Sequence, residues 1–123
     1  MYIMDIEKFE IKIDEYNVAY NTKDRDEFNL LITDNYIRKN SEEIKEGLEN
    51  KINEIKDIIS KKLKEIELVA NSKQMAYKGG RQKRMNIEIN GKTYTILGNN
   101  PNTEIAQLYS DIKEEILKII NKM

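Results

Sequence analysis

Between Glu67 and Glu88 the chain carries no acidic residue, while Lys73, Lys78, Arg81, Lys83 and Arg84 gather around Gly79-Gly80, with Met75 and Tyr77 beside them. Glycine lets backbone amides approach an anion closely, and the cations supply a favourable field. These residue types therefore fit the capture of a phosphate or carboxylate group. In such a site Arg81, Lys83 and Arg84 would face phosphates, and Tyr77 or Tyr109 would stack on a base. The spacing matches no Walker or dinucleotide pattern. The same residues also suit a solvated loop that closes a helix, with Gly79 as the stop and cations favoured at the helix C-terminus.

Elsewhere the chemistry is limited by what the chain lacks. It has neither histidine nor cysteine among its 123 residues. That removes Ser-His-Asp and Cys-His nucleophiles, ordinary zinc sites, iron–sulfur clusters and disulfides. Carboxylate pairs such as Glu42-Glu43 and Glu114-Glu115 fall on charged helix faces, with nothing to push two pKa values apart. A carboxylate metal cluster built on Glu7, Glu10 and Asp14 would need histidine partners. The reading is a protein that is not an enzyme, with no cofactor and no metal.

Lysine and arginine number 21 against 22 aspartate and glutamate, a net charge of −1, which argues against a wholly basic nucleic-acid binder. Apolar runs reach no more than the four residues Met1 to Met4, far short of the roughly 20 that span a bilayer. The first residues reach Asp5 with no basic region before an apolar stretch. A cytoplasmic protein without a membrane segment is expected.

The elements that would position these groups follow from apolar spacing. Ile6, Phe9, Ile13, Tyr16 and Tyr20 recur every three or four residues and predict a helix from Asp5 to Tyr20. The alternation of Phe9, Ile11 and Ile13 is the competing strand reading. Asp24 with Glu27 forms a capping pair for a second helix over residues 25–38, burying Phe28, Leu31, Ile32 and either Tyr36 or Ile37. Asn40 with Glu43 repeats that pattern and opens a long helix over residues 41–77, interrupted only weakly by Gly47. Its stripe of Ile44, Leu48, Ile52, Ile55, Ile59, Leu63, Ile66 and Ala70 has an eleven-residue period, close to a straight helix or a slight right-handed supercoil. About 35 residues at 1.5 Å each reach about 50 Å, more than a domain this size spans, about 30 Å across. Self-association along the stripe, as a coiled coil, is one way to hide it; burial beneath the first two helices is the other.

The hairpin signal is the clearest in the chain. Met85, Ile87 and Ile89 alternate with polar residues, Asn90-Gly91 follows, and a second alternation runs through Tyr94 and Ile96. With those two residues as the turn, Ile89 pairs with Lys92, Ile87 with Tyr94 and Met85 with Ile96. Gly98-Asn99-Asn100-Pro101 turns the chain, with Asn100 as cap and Pro101 at the first helical position. A final helix then buries Ile105, Leu108, Ile112, Ile116 and Ile119. The sum is an α+β protein, predominantly α, with about four helices and one C-terminal hairpin. Residues 1–78 form a helical region and residues 79–123 a hairpin with its helix, folding as one cooperative unit.

The run Asn86-Ile87-Glu88-Ile89-Asn90-Gly91-Lys92-Thr93-Tyr94-Thr95-Ile96-Leu97-Gly98, followed by Ile105, Leu108 and Ile112 with acids at Asp111 and Glu114, resembles the ββα head of ZapA-type bacterial cell-division proteins. The likeness spans residues 84–120. In that family the head comes first and a long coiled coil follows, whereas here the head follows the long helix. The resemblance implies dimerisation through hairpin and helix and, more weakly, action on FtsZ. Arg84 and Lys92 are the positions it suggests for partner contact.

Two functions are therefore expected. One is a homo-oligomeric interaction or scaffold protein of the ZapA kind, acting on a protein partner. The other is a phage or mobile-element binding or inhibitor protein that captures an anionic nucleotide signal or nucleic acid, or blocks a host defence protein. The residues that would carry either are Lys73, Tyr77, Lys78, Arg81, Lys83, Arg84, Lys92 and Tyr109.

Overall fold

The computed structural model describes residues 6–17, 27–76 and 80–121. In chain order these form β1 (Phe9–Asn17), β2 (Phe28–Thr33), β3 (Ile37–Lys39), β4 (Glu42–Ile44), α1 (Leu48–Ala70), β5 (Arg81–Ile89), β6 (Lys92–Leu97) and α2 (Thr103–Ile120). The strands make one six-stranded antiparallel sheet in the order β4-β3-β2-β1-β5-β6. Both helices pack on one of its faces. The fold is thus α+β with the sheet dominant and two helices among the described residues, not the predominantly α fold with about four helices that the spacing predicts.

The first correction concerns residues 5–20 and 25–38, expected as helices. Residues 9–17 are β1 and residues 28–33 and 37–39 are β2 and β3; Asp24 lies outside the described residues. In β1 the alternation wins, burying Phe9, Ile11 and Ile13 with the polar residues between them turned outward. The reason is company. Ile11 stands opposite Ile32 of β2 and Ile87 of β5, so strand pairing on both sides satisfies its backbone while its side chain enters the core.

The second correction shortens the long helix to Leu48–Ala70, 23 residues or about 35 Å. Asn40 and Ser41 do not cap it. Both adopt positive φ, 49° and 71°, and form the two-residue turn joining β3 to β4, with Lys39 opposite Glu42. Gly47, at φ 61°, stands at the helix start. The stripe is covered internally. Ile52, Ile55, Ile59 and Ile66 are buried in one core with the inward side chains of the sheet and with Ile112 and Ile116 of α2. No long coiled-coil-like helix is present among the described residues, and the case for self-association along the stripe falls with it.

The third element follows expectation. β5 and β6 pair Ile89 with Lys92, Ile87 with Tyr94 and Met85 with Ile96, around Asn90 and Gly91 at φ 50° and 86°. α2 buries Ile105, Leu108, Ile112, Ile116 and Ile119. Its cap stands two residues later than expected: Asn102 Oδ1 accepts from the Glu104 amide, and Asn100 Oδ1 braces the turn by accepting from the Asn102 amide. No helix of the described residues is long and apolar enough to cross a membrane.

Candidate functional site

β1 continues its inward alternation one step past the apolar residues and places Glu15 on the helix-covered face, 2% exposed. A carboxylate there requires partners. Three arrive, one from β5 and two from α2. Arg81, at the start of β5, donates from Nε to Glu15 Oε1 at 3.1 Å. Lys113 of α2 brings Nζ within 2.8 Å of Oε2, and the Tyr109 hydroxyl donates to the same oxygen at 2.8 Å. The Lys113 ammonium also lies 4.6 Å from the centre of the Phe28 ring. The cluster therefore ties β1, β2, β5 and α2 together at one end of the sheet.

Burial pushes the Glu15 carboxyl up, but the hydrogen bonds from Lys113, Tyr109 and Arg81 and the Lys113 charge outweigh it and hold it below the ordinary value. Burial, with the charge and hydrogen bond of Glu15, pushes the Tyr109 hydroxyl well above its ordinary range. Proton transfer near neutrality favours a group whose pKa lies nearby. Both groups move away from it, and the contacts fasten α2 and β5 to β1 electrostatically. Tyr109→Phe should then cost about 1 kcal/mol, one net hydrogen bond, because Arg81 and Lys113 remain on Glu15. Urea denaturation of the two proteins checks this; a loss several times larger would mean that the hydroxyl organises the whole cluster.

The Tyr109 ring is seated against Gly98, where the absence of a side chain makes room for it. Gly98 is held in turn by its amide, which donates to the Lys83 carbonyl at 2.9 Å.

Next to this fastening lies a cavity of about 510 Å³ at the same end of the sheet. β1 and β2 contribute Asp14, Glu15, Tyr16 and Asn29, with Glu27 just before β2; β5 and β6 contribute Gln82, Lys83, Arg84 and Leu97. Asn99 and Ala76 complete the wall. Asn99 Nδ2 donates to Gln82 Oε1 at 2.9 Å, and Asp14 stands opposite Arg84 across the β1–β5 pair. Acidic groups are as prominent in this wall as basic ones.

The cationic patch read from the sequence is therefore divided by the pleat. Arg81 and Lys83 sit at register positions opposite Asn17 and Glu15, on the face that carries the helices, whereas Arg84 is exposed on the other face. Tyr109 joins Arg81, but as a donor to Glu15 rather than as a stacking platform. Lys73 is exposed in the segment after α1. Lys92 lies at the hairpin end of the sheet, 5.7 Å from the centre of the Tyr94 ring. Tyr77 and Lys78 lie outside the described residues. The residues that sequence reasoning missed are Glu15 and Lys113. The signal for Glu15 was present: read as a strand, Phe9-Ile11-Ile13 puts an acid in the next inward position.

No helix or strand among the described residues covers the sheet face opposite the helices. Lys12, Arg38 and Arg84 are exposed there, with Glu10, Asp14, Asn86 and Glu88 half-buried between them, and Thr95 Oγ1 contacts Asn86 Oδ1 at 2.8 Å. Comparison with protein-family models, with curated proteins and with solved structures gives no match for this chain.

Proposed function

We propose that the protein is a non-enzymatic interaction protein that holds a protein partner against the uncovered face of its sheet. One observation carries this reading: among the described residues two helices cover a single face of a six-stranded sheet, and the other presents charges of both signs at fixed register positions. Antiparallel sheets commonly turn one face to water. Here that face sets Lys12, Arg38 and Arg84 beside Glu10, Asp14 and Glu88 on a rigid backbone, a pattern suited to selecting a partner by charge complementarity. The ZapA-like reading is supported by the order hairpin, then helix, in β5, β6 and α2, and by the outward placement of Arg84. β5 pairs with β1 as well as β6, so a head of that kind would act here as part of a larger sheet.

A photo-crosslinking residue at Lys12 or at Asn86 should give a discrete adduct in cells, and one at Lys61 on α1 should give none. Equal labelling from the sheet and helix positions, or adducts from Lys61 alone, would overturn the assignment. A second reading, capture of a polar ligand with an anionic group, rests on Arg84 in the cavity wall. Native mass spectrometry of the purified protein separates the two. Retained mass lost on Arg84→Ala would favour the ligand.

A further inference from the structure

We propose that the outer edge of β6 is a strand-addition surface for a second copy of this chain, and that Gln74 is the latch that holds it shut. β6 ends the sheet. In the two-residue hairpin Ile89 and Lys92 face each other, so Lys92, Tyr94 and Ile96 spend their backbone groups on β5. The amides and carbonyls of Thr93, Thr95 and Leu97 point to the edge.

Gln74, in the segment after α1, meets that edge with its carboxamide. Nε2 donates to the Thr95 carbonyl at 2.7 Å, and the Leu97 amide donates to Oε1 at 2.9 Å. A carbonyl before Ile96 and an amide after it are the pair that one residue of a parallel strand would take. One side chain thus stands in for one strand residue.

The edge invites such an occupant. From Thr93 to Leu97 the sequence Thr-Tyr-Thr-Ile-Leu holds no charge, proline or glycine, and four of its five residues favour strands. Edge strands are usually protected by charge, proline or a bulge. None of these falls within Thr93–Leu97, so the protection comes from Gln74. The segment is also self-complementary. A two-fold pairing centred on Thr95 sets Thr93 against Leu97 and Tyr94 against Ile96, with no like charges opposed and an aromatic side chain beside a β-branched one. That pairing needs the Thr95 carbonyl and the Leu97 amide, the two groups Gln74 holds. Latch and dimer are mutually exclusive. This surface is distinct from the face assigned to a partner above, and each stands or falls alone.

The test is sedimentation velocity of the full chain and of Gln74→Ala over a wide concentration range, with amide exchange followed at Thr93, Thr95 and Leu97. The variant is expected to dimerise at least about tenfold more tightly than the natural chain, the low end of the net worth of the two hydrogen bonds that each of the two chains gives up when its latch opens. Its Thr95 and Leu97 amides should be protected when concentrated and exchange freely when dilute. Adding Thr95→Lys should abolish the dimer. Gln74→Glu, which keeps the acceptor for Leu97 but loses the donor to Thr95, repeats the test if the alanine variant does not fold. An unchanged mass overturns the proposal. So does a dimer indifferent to Thr95→Lys, or growth beyond dimers, because the two-fold pairing closes on itself.

Discussion

Replacing Glu15 with alanine should lower the stability of the fold by about 3 kcal/mol, the low end of the range for stranding one half of a buried ion pair. The low end is chosen because Arg81 and Lys113 are 28% and 24% exposed and can turn their charges to water. The Tyr109 hydroxyl, buried and deprived of its acceptor, has no such escape. The effect should also depend on pH. The Glu15 carboxyl in the folded chain lies below the ordinary 4.5. The folded state therefore binds the proton less readily than the unfolded chain does. The stabilisation is full above about pH 4.5, and it is lost as pH falls through the lower folded value. The difference in unfolding free energy between the natural chain and Glu15→Ala, measured in urea from pH 7 down to pH 3, should shrink over that acidic stretch. A difference that stays constant would show that the alanine variant loses packing and not charge.

The second large effect is expected at Gly98. A methyl group placed there would lie 2.6 to 2.8 Å from three atoms of the Tyr109 ring, well inside the 3.5–4.0 Å of an ordinary carbon contact. Neither partner can easily withdraw. The ring is buried and tethered through its hydroxyl to Glu15, and the Gly98 amide is committed to the Lys83 carbonyl. Gly98→Ala should therefore force α2 off the sheet locally and cost about 2–3 kcal/mol, as overpacking of a close core contact does. A thermal melt should fall by roughly 10 °C at this chain length. The cause is checked by a double-mutant cycle: in a Tyr109→Ala background the same change at Gly98 should cost little. Additive losses would place the strain elsewhere.

How much of this was legible depends on whether the deciding partner of a residue was local. The β5–β6 hairpin was readable to the register, because Asn90-Gly91 forces its own turn and the alternation on either side needs nothing distant. α2 was readable because its stripe runs for five turns. The N-terminal strands were not. Ile6, Phe9, Ile13 and Tyr16 satisfy a helical spacing while Phe9, Ile11 and Ile13 satisfy a strand, and a segment that short does not discriminate. What decided it was β5, seventy residues away. Asn40-Ser41 was missed for a smaller reason: its turn has the same positive φ angles as Asn90-Gly91 but lacks the glycine that announces them. In the candidate site, the cations of β5 were visible as a cluster, but their partition between two faces follows from the pleat and could not be seen until residues 81–89 were known to be a strand throughout. The buried acid that organises two of the donors lay in the segment assigned to the wrong period.

The sheet order carries a consequence for how the chain is made. β1 leaves the ribosome first, yet it lies in the sheet interior between β2 and a strand that appears much later. Ile11 and Ile87, opposite each other in the finished sheet, are 76 positions apart. At ordinary synthesis speeds that interval is about 4–15 s. During it β1 to β4 and α1 have no C-terminal hairpin to close the other side of β1, and the long-range pairing that completes the fold cannot begin. Until β5 emerges, a nascent chain of this protein therefore offers β1, with Phe9, Ile11 and Ile13, a neighbour on the β2 side alone.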